Sequence, residues 1–472
     1  MKKPSQQDCR MAQTVTLIFD IGKTNKKLFL FDENLAEIYQ EYKQFEEIKD
    51  DEGFPCENLK LLTQWIIECT HKILGNNDYE VKAINFSGYG ASMVHLDKNN
   101  QVISPFYNYL KPFPEDLHQQ FFDKYHGEAN FSLITGSPSL GFLNSGLQLF
   151  YLKYKKPELF KKLHTSLHFP QYISSLLTEK LVSDYTSLGC HTGLWDFRNN
   201  RYASWVTEEG LDKYLPALEQ TSKVFQISLN NKLVNVGIGV HDSSAALIPY
   251  IQNSSEPFIL ISTGTWSICM NLFNDKELTK SELENDCLNF LGIKGHSIKA
   301  SRLFLGQELK EQASALESYF QKNKGDYKSV PFDLSFVPRP TSDKELLFKY
   351  HHLKPSRFGF TASSASQYDQ FENFTKAYHH LIHELTDIQI ASLKLAIGTS
   401  KIKDIYIDGG FADNEVFIQM LCSKLSDYNI YSSSFALGSA LGAALLVNLR
   451  TLPADFLKNN YRLKIHHSDS AN

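Results

Sequence analysis

The chain has 472 residues, 42% apolar and 13% aromatic, with a net charge of −5. That is enough apolar material for the cores of two to four domains, and it excludes a mainly disordered chain. The slightly acidic balance argues against a dedicated nucleic-acid binder and against a basic membrane-surface protein.

In chain order, residues 1–13 read as a polar tail without the apolar core of a signal peptide. TVTLIFD (14–20) and KKLFLFD (26–32) read as two strands joined by a tight turn. Asn58 to Leu74 carries apolar residues at helical spacing, and VKAINFSGYG (81–90) is a strand entering a glycine turn. PFILISTGTWSICMNLF (257–273) repeats the strand–turn–strand pattern, Phe371 to Leu395 reads as a long helix, and IKDIYIDGGFADN (402–414) is a strand entering a second glycine turn. The two halves match in pattern, which implies two copies of one α/β unit facing a shared cleft. The boundary falls at 245–257, where AALIPYI gives way to QNSSEP. KNKGDYKSV (322–330) reads as an exposed loop, and the end after Leu457, with His466 and His467, as a frayed tail. The stretch from Ala436 to Leu446 is too short and too interrupted to span a membrane. Seven cysteines (9, 56, 69, 190, 269, 287, 422) are never spaced C-x-x-C. They fit core thiols in a reducing, cytoplasmic setting rather than a disulfide framework or zinc site.

Four segments carry chemistry. In Asp20-Ile-Gly22-Lys23-Thr24-Asn25-Lys26-Lys27, a turn between strands offers backbone N–H groups, hydroxyl and amide donors, and lysines suited to phosphate oxygens. Asp20, at the strand end, is placed to hold a hydrated Mg²⁺. The same segment also reads as a hairpin with a solvated lysine-rich end. Thr263-Gly264-Thr265 forms a second, uncharged cradle, or a plain Ser/Thr turn. In Gly237-Ile-Gly239-Val-His241-Asp242, Asp242 is either a general base or the cap of a following helix. His241 either orients a substrate or satisfies backbone groups. Gly409 and Gly410, with Asn414 behind them, give a flat backbone against which a planar ring can lie. Neither a Walker A loop nor a Rossmann fingerprint occurs.

In this order the segments resemble the FGGY carbohydrate kinases over about residues 15–450. DIGKTNKK is similar to the family's first phosphate motif, ISTGTWS to its second, GVHDSSAA to its catalytic-base segment, and IDGGFADNEVFIQMLCSKL to its adenosine motif; GSALGAALL (438–446) is similar to its closing helix. The wording is most similar to the rhamnulokinase and L-fuculokinase branch, including FPQYISSLLTEKLVSDYTS (169–187) and SLGFLNSGLQL (139–149). The resemblance implies an α/β fold of two actin-like, ribonuclease-H-like ATPase domains with an interdomain cleft. Residues 14–248 would form the sugar side and 257–452 the ATP side. It implies ATP- and Mg²⁺-dependent phosphorylation of a sugar hydroxyl, with Asp242 as base and Asp20 and Asp242 toward the metal. Gly22 to Lys27, Thr263 to Thr265, Gln307, Gly409, Gly410 and Asn414 would serve ATP. Tyr89, Gly90, Ser92, Met93, Asn144, His241 and Asp242 would serve a ketose or deoxyketose such as L-rhamnulose or L-fuculose. Lys23, Gly438-Ser439, Tyr89, Ser92, the FYNYLKP segment (106–112) and Gln171 depart from the family pattern. Ser92 without a carboxylate, beside apolar Met93, points to a deoxy sugar. Another sugar or polyol (xylulose-like), a non-catalytic nucleotide- and sugar-binding regulator and an actin-like filament ATPase are the rival readings. The small-molecule sugar is the one partner implied, with no nucleic acid or membrane, for a monomer or homodimer.

Overall fold

A computed structural model describes residues 12–338, 344–433, 438–453 and 455–466. Cys9, His467 and most of the N-terminal polar stretch lie outside them. The first sheet uses β1 (Gln13–Ile21), β2 (Lys26–Asp32), β3 (Glu37–Lys43), β4 (Tyr79–Gly88), β5 (Val224–Leu229), β6 (Lys232–Gly237) and the short β7 (Val240–His241). Its order is β5-β6-β4-β1-β2-β3, with β7 beside β4. The second uses β8 (Phe258–Thr263), β9 (Ser267–Asn271), β10 (Cys287–Leu291), β11 (Ser297–Leu303), β12 (Asp404–Gly409), β13 (Asn429–Ser433) and β14 (Lys464–His466), in the order β10-β11-β9-β8-β12-β13-β14. β1 runs antiparallel to β2 and parallel to β4, and β8 likewise runs antiparallel to β9 and parallel to β12. The duplicated actin-like fold is therefore present in both halves.

Seven helices cover the sheets: α1 (Leu59–Leu74), α2 (Phe169–Thr178), α3 (Asp242–Asn253), α4 (Leu305–Tyr319), α5 (Phe374–Ile397), α6 (Glu415–Lys424) and α7 (Gly438–Asn448). Side-chain caps at Asn58, Asn373 and Asn414 begin α1, α5 and α6. The period-2 alternation of β1 decides what each face meets. Leu17 and Phe19 pack with Leu62, Ile66 and Phe169 in an outer core. On the other face, Thr16 bonds Asn448, Ile18 packs with Leu441 and Ala444, and Asp20 accepts a hydrogen bond from Ser439. One face of β1 thus runs along α7 from end to end.

α3 and α7 lie between the two sheets. Ile18, Phe29 and Phe31 of the first sheet and Phe258, Leu260 and Tyr406 of the second share one buried cluster with both helices. The helices touch at Gly442, where an added Cβ would stand 1.9 Å from the Ala245 carbonyl oxygen. As far as His466, the chain after Leu457 is not a frayed tail. Phe456, Leu457 and Tyr461 are buried in this same cluster, and β14 pairs with β13. Burial of three large side chains there outweighs the polar character of the residues between them.

Parts of residues 89–223, between β4 and β5, on both sides of α2, form a further aromatic-rich core around Phe121, Phe150 and Trp205. Glu209 ties it together. Lys124 Nζ and Tyr125 OH donate to its Oε1, each at 2.6 Å; Lys153 Nζ and Tyr154 OH donate to its Oε2 at 2.5 and 2.9 Å. Burial alone would raise its pKa, but these four donors outweigh it and hold the carboxyl at about 2.

Two outcomes follow from this packing. Gly442→Ala, which in an open helix would stabilise by about 1 kcal/mol, here forces α3 and α7 apart and lowers stability by about 1–3 kcal/mol, read as a lower urea midpoint. Glu209, with a folded pKa below its unfolded one, stabilises fully above pH 4.5, and that contribution disappears as the pH falls toward about 2. Glu209→Gln therefore costs on the order of 2–3 kcal/mol at pH 7, and its urea midpoint falls less steeply than that of the wild type on acidification.

Candidate active site

Asp20 ends β1 and Asp242 opens α3, so two carboxylates meet where the first sheet reaches the cleft. His241, in extended conformation, is the N-cap residue, so Asp242 is not the cap; as an acid in the first turn it suits the helix dipole. Its Oδ1 accepts from the Ser243 N–H at 2.6 Å and lies 3.2 Å from His241 Nε2. Enclosure by protein pushes Asp242 up to about 6 against those Ser243 bonds, although its side chain remains 31% exposed to solvent. Burial also raises Asp20. Lys27, opposite it in the β1–β2 ladder, lowers it, and the charge of Asp242 raises it again. Two mutually repelling carboxylates are a donor set suited to Mg²⁺, which binds through one or two carboxylates plus substrate phosphates.

His241 is held from three sides. Its backbone N–H donates to Thr186 Oγ1, which itself donates to the buried Asp184. Its Nδ1 lies 3.1 Å from Ser244 Oγ and its Nε2 3.1 Å from Cys190 Sγ. Burial depresses its pKa to about 4, so the ring is neutral at pH 7. Beside it opens a cavity of about 670 Å³ lined by both halves: Tyr89, Gly90, Tyr109, His191 and His241 from the first, Trp266, Ile268, Phe290 and Arg302 from the second. Phe290 meets both imidazoles, edge-on to His191 at 5.0 Å and stacked on His241 at 6.0 Å.

The expected nucleotide-side residues of the second half come together on one rim. The Thr265 carbonyl accepts from the Gly306 and Gln307 N–H groups, and the Thr263 carbonyl from Gly410 N–H. Thr263 Oγ1 donates to the Asp408 carbonyl and accepts from Phe411 N–H, so its hydroxyl holds the glycine turn and does not face solvent. Gly409 has φ +81°, and a Cβ there would lie 1.8 Å from the Thr263 oxygen, so only glycine fits. Asn414 spends its amide on the cap of α6 and on Tyr378. Gly264, Thr265 and Gly410 are exposed on this rim.

In the first loop, Thr24 and Asn25 are exposed and Lys23 pairs with Glu47 at 2.8 Å. Lys26 lies apart from these. Its Nζ is buried, 2.6 Å from Glu57, and donates to the Lys23 carbonyl; Glu57 also accepts from Tyr89 OH. It braces the loop from beneath and has no free charge for phosphate. Three expected sugar-side residues also lie off the cavity. Met93 is fully buried in the insertion core, because both faces of its short strand are covered. Asn144 is buried, accepting from Leu140 N–H and donating to Ser137 and the His191 carbonyl. Ser92 is buried, and its carbonyl accepts from Phe169 N–H. Glu57, Cys190 and Arg302 lie outside the sequence motifs, and Asp184 lies within the 169–187 segment.

Residues 15–248 match the family model described as the FGGY family of carbohydrate kinases, N-terminal domain, and through that domain the chain belongs to the family. A rhamnulokinase of Oceanobacillus iheyensis is 27% identical over 211 residues, covering 41% of this chain and 42% of that protein. An L-fuculokinase of Escherichia coli is 21% identical over 282 residues, covering 55% and 57%. The chain thus spans about half the length of these curated relatives. A solved carbohydrate kinase of Novosphingobium aromaticivorans superposes with a TM-score of 0.77 at 21% identity, covering 97% of this chain and 95% of that one. Among the described residues no helix is long and apolar enough to cross a membrane.

The buried Lys26–Glu57 pair yields a further test. Lys26→Met leaves the Glu57 carboxylate buried with Tyr89 alone and costs about 3–5 kcal/mol. Lys26→Met combined with Glu57→Leu recovers most of that loss. Chemical denaturation of the three proteins measures both steps; a single variant as stable as the wild type would show that the pair does not hold the loop.

Proposed function

We propose that the protein transfers the terminal phosphoryl group of ATP to a hydroxyl of a sugar, the first candidates being L-rhamnulose and L-fuculose. The observation that carries the reading is Asp242, raised to about 6 and still open to solvent, between a neutral His241 and the carboxylate of Asp20. In this reading residues 14–248 form the sugar side and 257–452 the nucleotide side. Asp242 accepts the proton of the attacking hydroxyl. His241, fixed by Thr186 and Ser244, orients the sugar without adding charge. The N–H groups and hydroxyls of the 22–25 and 264–265 loops bind phosphate oxygens, and Gly409 and Gly410 offer a flat surface to the adenine. Mg²⁺, held by Asp20 and Asp242, would neutralise phosphate charge. The curated relatives support a ketose or deoxyketose. The apolar lining of Tyr109, Leu143, Leu288 and Phe290 supports a sugar with a methyl end, in place of the Met93 contact expected from the sequence.

A panel of free sugars with an ADP-release assay tests this. L-rhamnulose and L-fuculose are expected to turn over above D-xylulose and glycerol; no turnover with any sugar would favour the non-catalytic regulator. On the best substrate, Asp242→Asn lowers kcat roughly 10²–10⁴-fold while calorimetry still detects sugar binding. A near wild-type kcat would remove Asp242 from the role of base.

A further inference from the structure

Arg302 lies near the end of β11, where it pairs with Ile268 of β9. Strand alternation puts it on the face of Ile298 and Ala300, which are buried in the core shared by the two sheets. One step beyond that core, the same face opens into the cavity, and Arg302 is among its lining residues. The residue is only 9% exposed. Its guanidinium lies over the Trp266 ring, 5.1 Å from the centroid, and reaches Asp286 through a single long contact of 3.4 Å from Nη2. Its Nε is buried and has no hydrogen-bond partner among the described residues. A guanidinium has five N–H donors in a planar fork, and a buried one is ordinarily satisfied at most of them. His191, which also lines the cavity, likewise has a buried Nδ1 without a hydrogen-bond partner among the described residues.

Cys190 relates Arg302 to the base. Its Sγ is 3.1 Å from the His241 ring that neighbours Asp242, and its thiol feels the charges of both Asp242 and Arg302. His241, the neighbour of Asp242, lines the same cavity as Cys190 and Arg302.

We infer that Arg302 is a specificity residue of the acceptor site, supplied by the second half of the chain, whose under-satisfied guanidinium holds an oxygen of the sugar. This rests on the cavity being the sugar site. The recognised chemistry is an oxygen acceptor, which is either a sugar hydroxyl or the carboxylate of a sugar acid. Trp266 serves as the flat support that keeps the guanidinium aimed.

The test uses the full chain with Arg302→Leu and Arg302→Lys, assayed on the best acceptor and with D-gluconate added to the panel. Arg302→Leu is expected to raise the acceptor KM about 10–100-fold, the loss of a hydrogen bond to a charged group, while the KM for ATP stays within about 2-fold. Arg302→Lys keeps the charge and loses the fork. It recovers much of the affinity for a carboxylate and little for a hydroxyl, which separates the two sources. An unchanged acceptor KM in both variants, or a change confined to ATP, overturns the inference. A binding measurement stands apart from turnover. Trp266 is 41% exposed, whereas the other three tryptophans are buried. Its fluorescence is therefore expected to change saturably when L-rhamnulose, L-fuculose or D-gluconate is titrated without nucleotide. The signal is lost in Trp266→Phe, and its midpoint shifts about 10-fold or more in Arg302→Leu, and in Arg302→Lys where the recognised oxygen is a hydroxyl. If no sugar is phosphorylated, the kinase reading fails while this titration still decides the role of Arg302. Absence of any saturable change with all three compounds overturns it.

Discussion

The close crossing of α3 and α7 at Gly442 and Ala245 sets the geometry on which the cleft depends. Each helix begins at one of the two cleft carboxylates: α3 at Asp242, α7 one residue before Ser439, which donates to Asp20. Because the helices are in backbone contact, the separation of their first turns is fixed by sterics and not by adjustable side chains. The Asn85 side chain extends the same fixation by donating to the Ala443 carbonyl, and Gly239 N–H donates back to Asn85. Two carboxylates from different parts of the fold are thus held near each other despite their repulsion, because packing on the other side of the helices outweighs it.

Buried charge in the first half is handled in three ways. Glu209 and Lys26 sit in saturated networks, where each donor has an acceptor. His241 and His191 are held neutral by burial, so they shape the cavity without charging it. Asp20 and Asp242 are left partly uncompensated. The contrast separates groups that stabilise the fold from groups available to a ligand, since an unsatisfied buried group carries a standing penalty that a bound partner can remove.

Much of this was legible in the sequence. The strand–turn–strand repeats and the capping asparagines are local signals, with period-2 runs and polar caps at the ends of periodic helices. The candidate segments at 20–27, 241–242, 263–265 and 408–410 are also contiguous, and the structure brings the last two together on one rim. What escaped is non-local. That Lys26 would be spent on Glu57 depends on the docking of the segment before α1. The strand holding Met93 is buried on both faces, so alternation gave it no direction. Arg302 lies outside every motif, yet a charge following Ile298 and Ala300 on one face of a strand was a sign that the face leaves the core there. Phe456, Leu457 and Tyr461 are a comparable sign for the chain end.

The position of α7 also has a consequence for the order in which the protein acquires its structure. The inner face of the first sheet, with Ile18, Phe29 and Phe31, is covered partly by a helix encoded near the opposite terminus. During synthesis at roughly 5–20 residues per second, that apolar face waits tens of seconds after its own strands are complete before residues 438–448 leave the ribosome. The first half is therefore a nascent species with an open hydrophobic surface.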